Sequence, residues 1–254
     1  MSTLDGGWRH LPFALDDGPA AHAALGLIVL GNDPTIEPEL YRILRMDGVG
    51  LYAHRIAMGP PFTVERIKAL EGELARAAAM ILPDDRLHAI AFGCTSCTMA
   101  IGVENVARRI QETRPGVPVT EPVSATLAAF KALGLRRIAL LTPYPHEVNK
   151  VAAAFLEAQG LVVAEKATFL ASADFDIARV SPSAIEEAAV RLAKLDVDGV
   201  FLSGTALRAV SVIRAIEAAS GKPAVSSNQA LAWHGLRLAG VRGAVDGFGR
   251  LLTL

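Results

Sequence analysis

Short apolar runs alternate with amphipathic stretches along almost the whole chain. Eight runs read as strands, at 25–30, 49–58, 87–92, 117–120, 137–142, 161–169, 199–203 and 224–226. Between them apolar residues recur every three to four positions, at 64–81, 99–112, 124–133, 146–159, 182–195, 206–219 and 229–238. That is the period of a helix with one buried face. The strands are mostly continuous apolar runs, as in a parallel sheet covered by helices on both faces. Gly134, Gly160, Gly221 and Gly240 stand where four of the helices should stop.

A weak internal echo underlies this alternation. Ala91-Phe92-Gly93-Cys94-Thr95-Ser96 closes one predicted strand, and Phe201-Leu202-Ser203-Gly204-Thr205-Ala206 closes another. Nearly the same offset, about half the chain, carries Leu30-Gly31-Asn32-Asp33-Pro34 onto Leu141-Thr142-Pro143-Tyr144-Pro145. The expected fold is α/β, with two similar doubly wound, flavodoxin-like parallel-sheet halves related by a pseudo-two-fold axis. The first half would span 1–122 and the second 123–228, with the C-terminal stretch 229–254 returning to the first. Ligands of such sheets bind beyond the carboxyl ends of the strands, so the echoed strand ends should face one cleft.

Composition narrows the class. The chain has 254 residues, 52% of them hydrophobic, which is enough for a sizeable core and excludes a disordered protein. With 25 basic and 26 acidic residues there is no positive excess to neutralise phosphates, so no nucleic-acid partner is expected. No apolar stretch approaches the ~18 residues of a membrane span. The stretch from Met1 to Gly26 carries Asp5, Asp16 and Asp17 and lacks a basic start followed by an apolar run, so no signal peptide is expected. Two cysteines, Cys94 and Cys97, cannot build a disulfide framework, and a cytoplasmic enzyme is the default expectation.

The chemistry concentrates at the strand ends. Cys94 sits where a buried strand turns into a helix, and a helix start favours a thiolate. Thr95, Ser96 and Thr98 add hydroxyl donors, and the free N–H groups of such a turn can hold a carboxylate or enolate oxygen. The competing role for Cys94 is a small buried residue in a helix cap; Cys97, one turn further on, reads as packing. Cys-x-x-Cys also occurs in thioredoxin-like redox sites, but that fold is about half this length, and Thr95-Ser96 is not its usual spacer. A zinc site needs about four ligands, and no second cysteine pair or close histidine pair exists. Tyr144 would present its hydroxyl at a strand end or cover a helix start. Asn32 and Asp33 form the equivalent turn of the other half, where both are also ordinary turn formers. Gly204, beside Thr205, replaces the thiol of the Cys94 turn. Arg55 could hold a carboxylate or be solvated, and His234 reads as structural.

Taken together, Gly93-Cys94-Thr95-Ser96, Leu141-Thr142-Pro143-Tyr144, Ser203-Gly204-Thr205-Ala206-Leu207-Arg208-Ala209 and Ser227-Asn228-Gln229-Ala230-Leu231-Ala232-Trp233-His234 resemble the aspartate/glutamate racemase superfamily. Within it the chain is similar to the maleate cis-trans isomerase and arylmalonate decarboxylase branch, and most similar to ectoine-utilisation isomerase-like proteins. The resemblance implies two α/β domains facing one cleft, a small carboxylate substrate, and no metal or organic cofactor. It implies Cys94 as the catalytic thiol of the first half. Thr95, Ser96 and Tyr144 would hold carboxylate oxygens, Asn32 and Asp33 would form a polar binding turn, and Gly204 and Thr205 would border the substrate. Gly204 departs from the pattern, since racemases of this superfamily carry a second cysteine there. A symmetric proton swap lacks its second donor, because a threonine hydroxyl is a far weaker acid than a thiol. The expected activity is a cofactor-independent isomerase of a small (di)carboxylate working through one cysteine. The alternatives are an arylmalonate-type decarboxylase with Cys94 as proton donor, in mirrored arrangement, and a non-catalytic carboxylate-binding protein. A homo-oligomer is compatible with the sequence.

Overall fold

A computed structural model describes residue 6 and residues 8–58, 64–171 and 173–254. Residues 1–5 and 7, part of the N-terminal stretch read above, lie outside the described residues. All eight expected strands are present. β1 (Ala23–Leu30), β2 (Val49–Ile56), β3 (Ala89–Gly93) and β4 (Val119–Thr120) form one parallel sheet in the order β2-β1-β3-β4. β5 (Arg137–Thr142), β6 (Val162–Thr168), β7 (Gly199–Leu202) and β8 (Ala224–Ser226) form a second in the order β6-β5-β7-β8. The strand order is the same in both sheets, so the sequence echo has a structural basis. Its segments close the first and third strands of each sheet. Those two strands flank the point where the strand order reverses, which is where open α/β sheets leave a crevice.

The core explains why the strands are apolar throughout. Leu25, Leu27 and Val29 of β1 point into a core shared with Ile138 and Leu140 of β5. That core is filled by α1 (Ile36–Ile43), α6 (Pro122–Leu133) and α11 (Ser227–Leu238). Ala24, Ile28 and Leu30 point the other way, joining Ile90 and Phe92 beneath α3 (Glu71–Met80) and α5 (Val103–Gln111). Ala139 and Leu141 of β5 face a third core under α9 (Pro182–Ala193) and α10 (Ile213–Ser220). Successive strand residues point to opposite faces, so each central strand feeds two cores. The middle core belongs to both sheets and holds the two sets of strand ends in a fixed relation.

The helices depart from the pattern in five places, one of them α8 (Asp174–Ile177), a short helix where the pattern predicts no element. The stretch 64–81 is two helices, α2 (Val64–Ala69) and α3. The stretch 99–112 starts earlier, as α4 (Thr95–Ile101), and stops at Gly102, whose φ of +93° no helix accommodates, before α5 resumes. The stretch 206–219 becomes helical only at Val210–Val212, a 3₁₀ turn leading into α10. α1 was not expected from the pattern. The remaining α-helix is α7 (His146–Ala158). No helix among the described residues is long and apolar enough to cross a membrane.

Candidate active site

A cavity of about 340 Å³ lies among the strand ends of both sheets. Leu30 and Asp33 reach it from β1, and Cys94, Thr95, Ser96 and Cys97 from the β3–α4 junction. Pro143, Tyr144 and Pro145 follow β5, and Gly204, Thr205 and Ala206 follow β7. Met58, Val148, Ala171 and Ile177 complete the wall. Seven of the eight residues expected at the site therefore come together; Asn32, next to Asp33, is not among the lining residues. A groove of about 410 Å³ beside α7 and β6 is larger. It holds no thiol, and its charged rim includes the Lys166–Glu157 ion pair.

Cys94 is the N-cap of α4, with extended backbone (φ −149°). Its Sγ accepts a hydrogen bond from the Cys97 N–H at 3.4 Å and stands 3.7 Å from Ser96 Oγ. Its carbonyl accepts from Thr98 Oγ1 at 2.7 Å. A thiolate formed here meets an N–H donor and the positive end of a helix. Cys97 borders the same cavity but is only 1% exposed; what it offers Cys94 is its backbone N–H. Thr95 Oγ1 is buried with no hydrogen-bond partner among the described residues, an unusual state for a buried hydroxyl and one a bound carboxylate oxygen would relieve.

The opposing strand ends are held just as tightly. The Tyr144 carbonyl accepts from Asn149 Nδ2 and from Thr168 Oγ1, both at 2.8 Å, fixing the turn after β5. Gly204 has φ +123°, a conformation that L side chains rarely adopt. A Cβ at that position would stand 3.1 Å from Tyr144 Oη and 3.2 Å from Pro143 Cγ. The backbone angle therefore favours glycine, and the surroundings are tight for any side chain. Asp33 Oδ1 accepts from the N–H groups of Thr35 and Ile36 at 2.8 and 3.0 Å, which starts α1. Burial pushes the Asp33 carboxyl up, against the pull of those two N–H groups, the Thr205 hydroxyl and the Arg55 charge.

Other candidates fall away from the cavity. Arg55 donates to the Gly31 carbonyl at 3.0 Å and pairs with Glu37 at 2.7 Å at the sheet edge. His234 Nδ1 is bonded to Thr120 Oγ1 at 2.8 Å, and burial pushes its pKa down. No cluster of three or more histidine, cysteine, aspartate or glutamate side chains able to hold a metal occurs among the described residues. Met58, Val148, Ala171 and Ile177 carry no chemical signature in the sequence; only the fold brings them to the cavity.

The model of the arylmalonate decarboxylase family matches residues 25–252. The chain belongs to this family. Its relatives extend to the maleate isomerases and the wider Asp/Glu racemase-like superfamily. Arylmalonate decarboxylase of Bordetella bronchiseptica is 37% identical over 139 residues, which are 54% of this chain and 58% of that protein. The fold matches a structure of arylmalonate decarboxylase in which one glycine was changed to cysteine and one cysteine to serine, in liganded form. There the TM-score is 0.79, with 29% identity over 90% of this chain and 98% of the other. It also matches a cysteine-to-serine mutant of maleate cis-trans isomerase from Nocardia farcinica that carries a covalently bound succinylcysteine intermediate. That TM-score is 0.78, with 25% identity over 91% of this chain and 98% of the other. Similar proteins thus include a decarboxylase and an isomerase, the latter with an intermediate bound to cysteine.

Proposed function

We propose that this family member decarboxylates a malonate bearing an apolar substituent, with Cys94 as the proton donor. The observation that carries this reading is the one-sided placement of thiols. Both cysteines come from the β3–α4 junction, and the β7 strand end carries a glycine, whose φ of +123° is strained for any side chain, in place of a second thiol. One donor suffices to protonate one face of an enediolate, whereas a symmetric two-base swap needs two. The lining divides accordingly. Thr95, Ser96 and Tyr144 offer hydroxyls, and the first N–H groups of α4 have no intrahelical acceptor. Together they suit the retained carboxylate, whose charge grows as carbon dioxide leaves. Leu30, Met58, Val148 and Ile177 supply apolar wall for the substituent and for the departing group. An ionised carboxylate against such a wall is poorly solvated, and carbon dioxide is not, so the environment favours the loss.

In this mechanism the bond from the α-carbon to the departing carboxylate breaks. Its electron pair stays on the retained carboxylate as an enediolate. The Cys94 S–H then gives its proton to the α-carbon, the thiolate is held by the Cys97 N–H, and water reprotonates it. A second reading is favoured by the succinylcysteine adduct in the Nocardia isomerase, where a cysteine has added to substrate within this fold. In that case Cys94 would add to a cis-enedioate, the new single bond would rotate, and the thiolate would leave. Incubation with a 2-aryl-2-methylmalonate and, separately, with maleate distinguishes the two. Carbon dioxide release from the malonate is the expected result. Conversion of maleate to fumarate with the malonate untouched would replace the decarboxylase by the isomerase, and ligand protection of the fold without turnover of either would leave a binding protein.

A further inference from the structure

The segment after β7 forms one wall of the cavity through Gly204, Thr205 and Ala206, yet residues 203–209 are neither helix nor strand. Their position is fixed largely from outside the second sheet. The Ala206 carbonyl accepts from Thr35 Oγ1 at 2.9 Å, and the Val210 N–H donates to Glu39 Oε1 at 2.9 Å. The Thr205 carbonyl accepts from Asn228 Nδ2 at 2.8 Å, and the same Nδ2 donates to Glu39 Oε2 at 2.8 Å. Thr35 and Glu39 are four residues apart at the start of α1, so they present one face to the segment. Glu39 is 5% exposed on a helix whose other buried residues are Ile36, Leu40 and Ile43. A carboxyl there costs more than the apolar residue that the stripe would otherwise carry, and its two oxygens are spent on the cavity wall and on the side chain that grips it.

We infer that Glu39, acting through Asn228, is the positioning residue for the Thr205–Ala206 wall of the cavity, next to Gly204, whose N–H donates to Ser227 Oγ at 3.0 Å. The inference rests on the proposed function only in taking this cavity as the reactive one; the tether itself is independent of the reaction. Burial pushes the Glu39 carboxyl up to about 7, against the pull of the Asn228 and Val210 donors. Arg42 on the same helix favours the ionised form and Asp33 in the preceding turn disfavours it, while the segment and α11 face it with the neutral donors Val210 and Asn228. Against an open state in which water reaches Glu39 and returns it to the ordinary 4.5, the closed wall is favoured while Glu39 is protonated. That advantage is whole below 4.5, falls as pH rises, and is gone above about 7.

Hydrogen exchange of the free wild-type chain reads this directly. After correction for intrinsic exchange, protection of amides in 204–210 should fall about tenfold from pH 6 to pH 8, while β5 amides stay constant. Glu39→Gln should abolish the step, while Asp33→Asn, which removes the other raised carboxyl that meets this segment through the Thr205 hydroxyl, should leave it in place. Asn228→Ala should move its midpoint upward, since a donor favouring the ionised form is lost; a segment held independently of Glu39 would show no step to move. Constant protection of 204–210 in the wild type, or a step that survives Glu39→Gln, would overturn the inference. If Glu39→Gln fails to fold, the wild-type series and the Asn228→Ala midpoint decide. No substrate enters the experiment, so its outcome is separate from success or failure of the decarboxylase assay.

Discussion

Cys94→Ser should lower kcat about 10²–10⁴-fold, the range that a positioned general acid supplies, while circular dichroism and the melting temperature stay close to wild type. Serine is nearly isosteric and can still accept the Cys97 N–H, so the α4 cap survives. What is lost is acidity, since an alcohol gives up its proton far less readily than a thiol. The effect should fall on kcat more than on KM, because the carboxylate-holding groups Thr95, Ser96 and Tyr144 are untouched. Cys97→Ser should cost much less, because that side chain is buried and its contribution to Cys94 is a backbone N–H that serine keeps. Steady-state kinetics of the two variants side by side check both statements. Equal activity of Cys94→Ser and wild type would remove the thiol from the mechanism.

The second large effect is expected at Gly204. The sequence echo alone suggests that Gly204→Cys would restore a second thiol and with it racemisation. The structure changes that expectation. At φ +123° any L side chain is strained, and its Cβ would crowd Tyr144 Oη and Pro143. Gly204→Ala should therefore destabilise the protein by about 1–3 kcal/mol. In a chain of this size that lowers the melting temperature by several degrees. It should also reduce kcat, because the hydroxyl of Tyr144 must move to admit the methyl group. Gly204→Cys should share the destabilisation and yield no efficient racemase. Thermal melts with chiral chromatography of the product test this. A Gly204→Cys protein as stable as wild type that racemises its product would show that the segment re-forms around a side chain.

The strands were legible because each is a continuous apolar run bounded by turn residues, and their buried positions match the cores. The four strand ends are legible for the same reason, and they carry Asp33, Cys94, Thr95, Ser96, Tyr144, Gly204 and Thr205, whose places at the site the family resemblance implies. Asn32 shares the turn with Asp33 without lining the cavity, a distinction between adjacent polar residues that no sequence pattern draws. Helix ends were harder to see. Gly102 divides one amphipathic stretch by its backbone angle alone, and residues 206–209 carry a helical pattern while side chains from other elements hold them in turns. α1 was missed because Pro38 and the buried Glu39 interrupt its apolar stripe of Ile36, Leu40 and Ile43. The Glu39–Asn228 contact joins residues 189 positions apart, which no local pattern reveals. The apolar wall of Met58, Val148 and Ile177 was invisible for a related reason, since apolar residues signal burial and not the surface that they bury against.

Decarboxylation of a prochiral arylmalonate in D₂O puts the central claim to its most direct test. The product is analysed by NMR for deuterium and by chiral chromatography for configuration. Proton donation by Cys94 alone, from the β3 side of the cavity, predicts one deuterium on the α-carbon and one enantiomer in large excess, with neither formed by Cys94→Ser above the uncatalysed rate. Racemic product, or undiminished enantioselective turnover by Cys94→Ser, would contradict it.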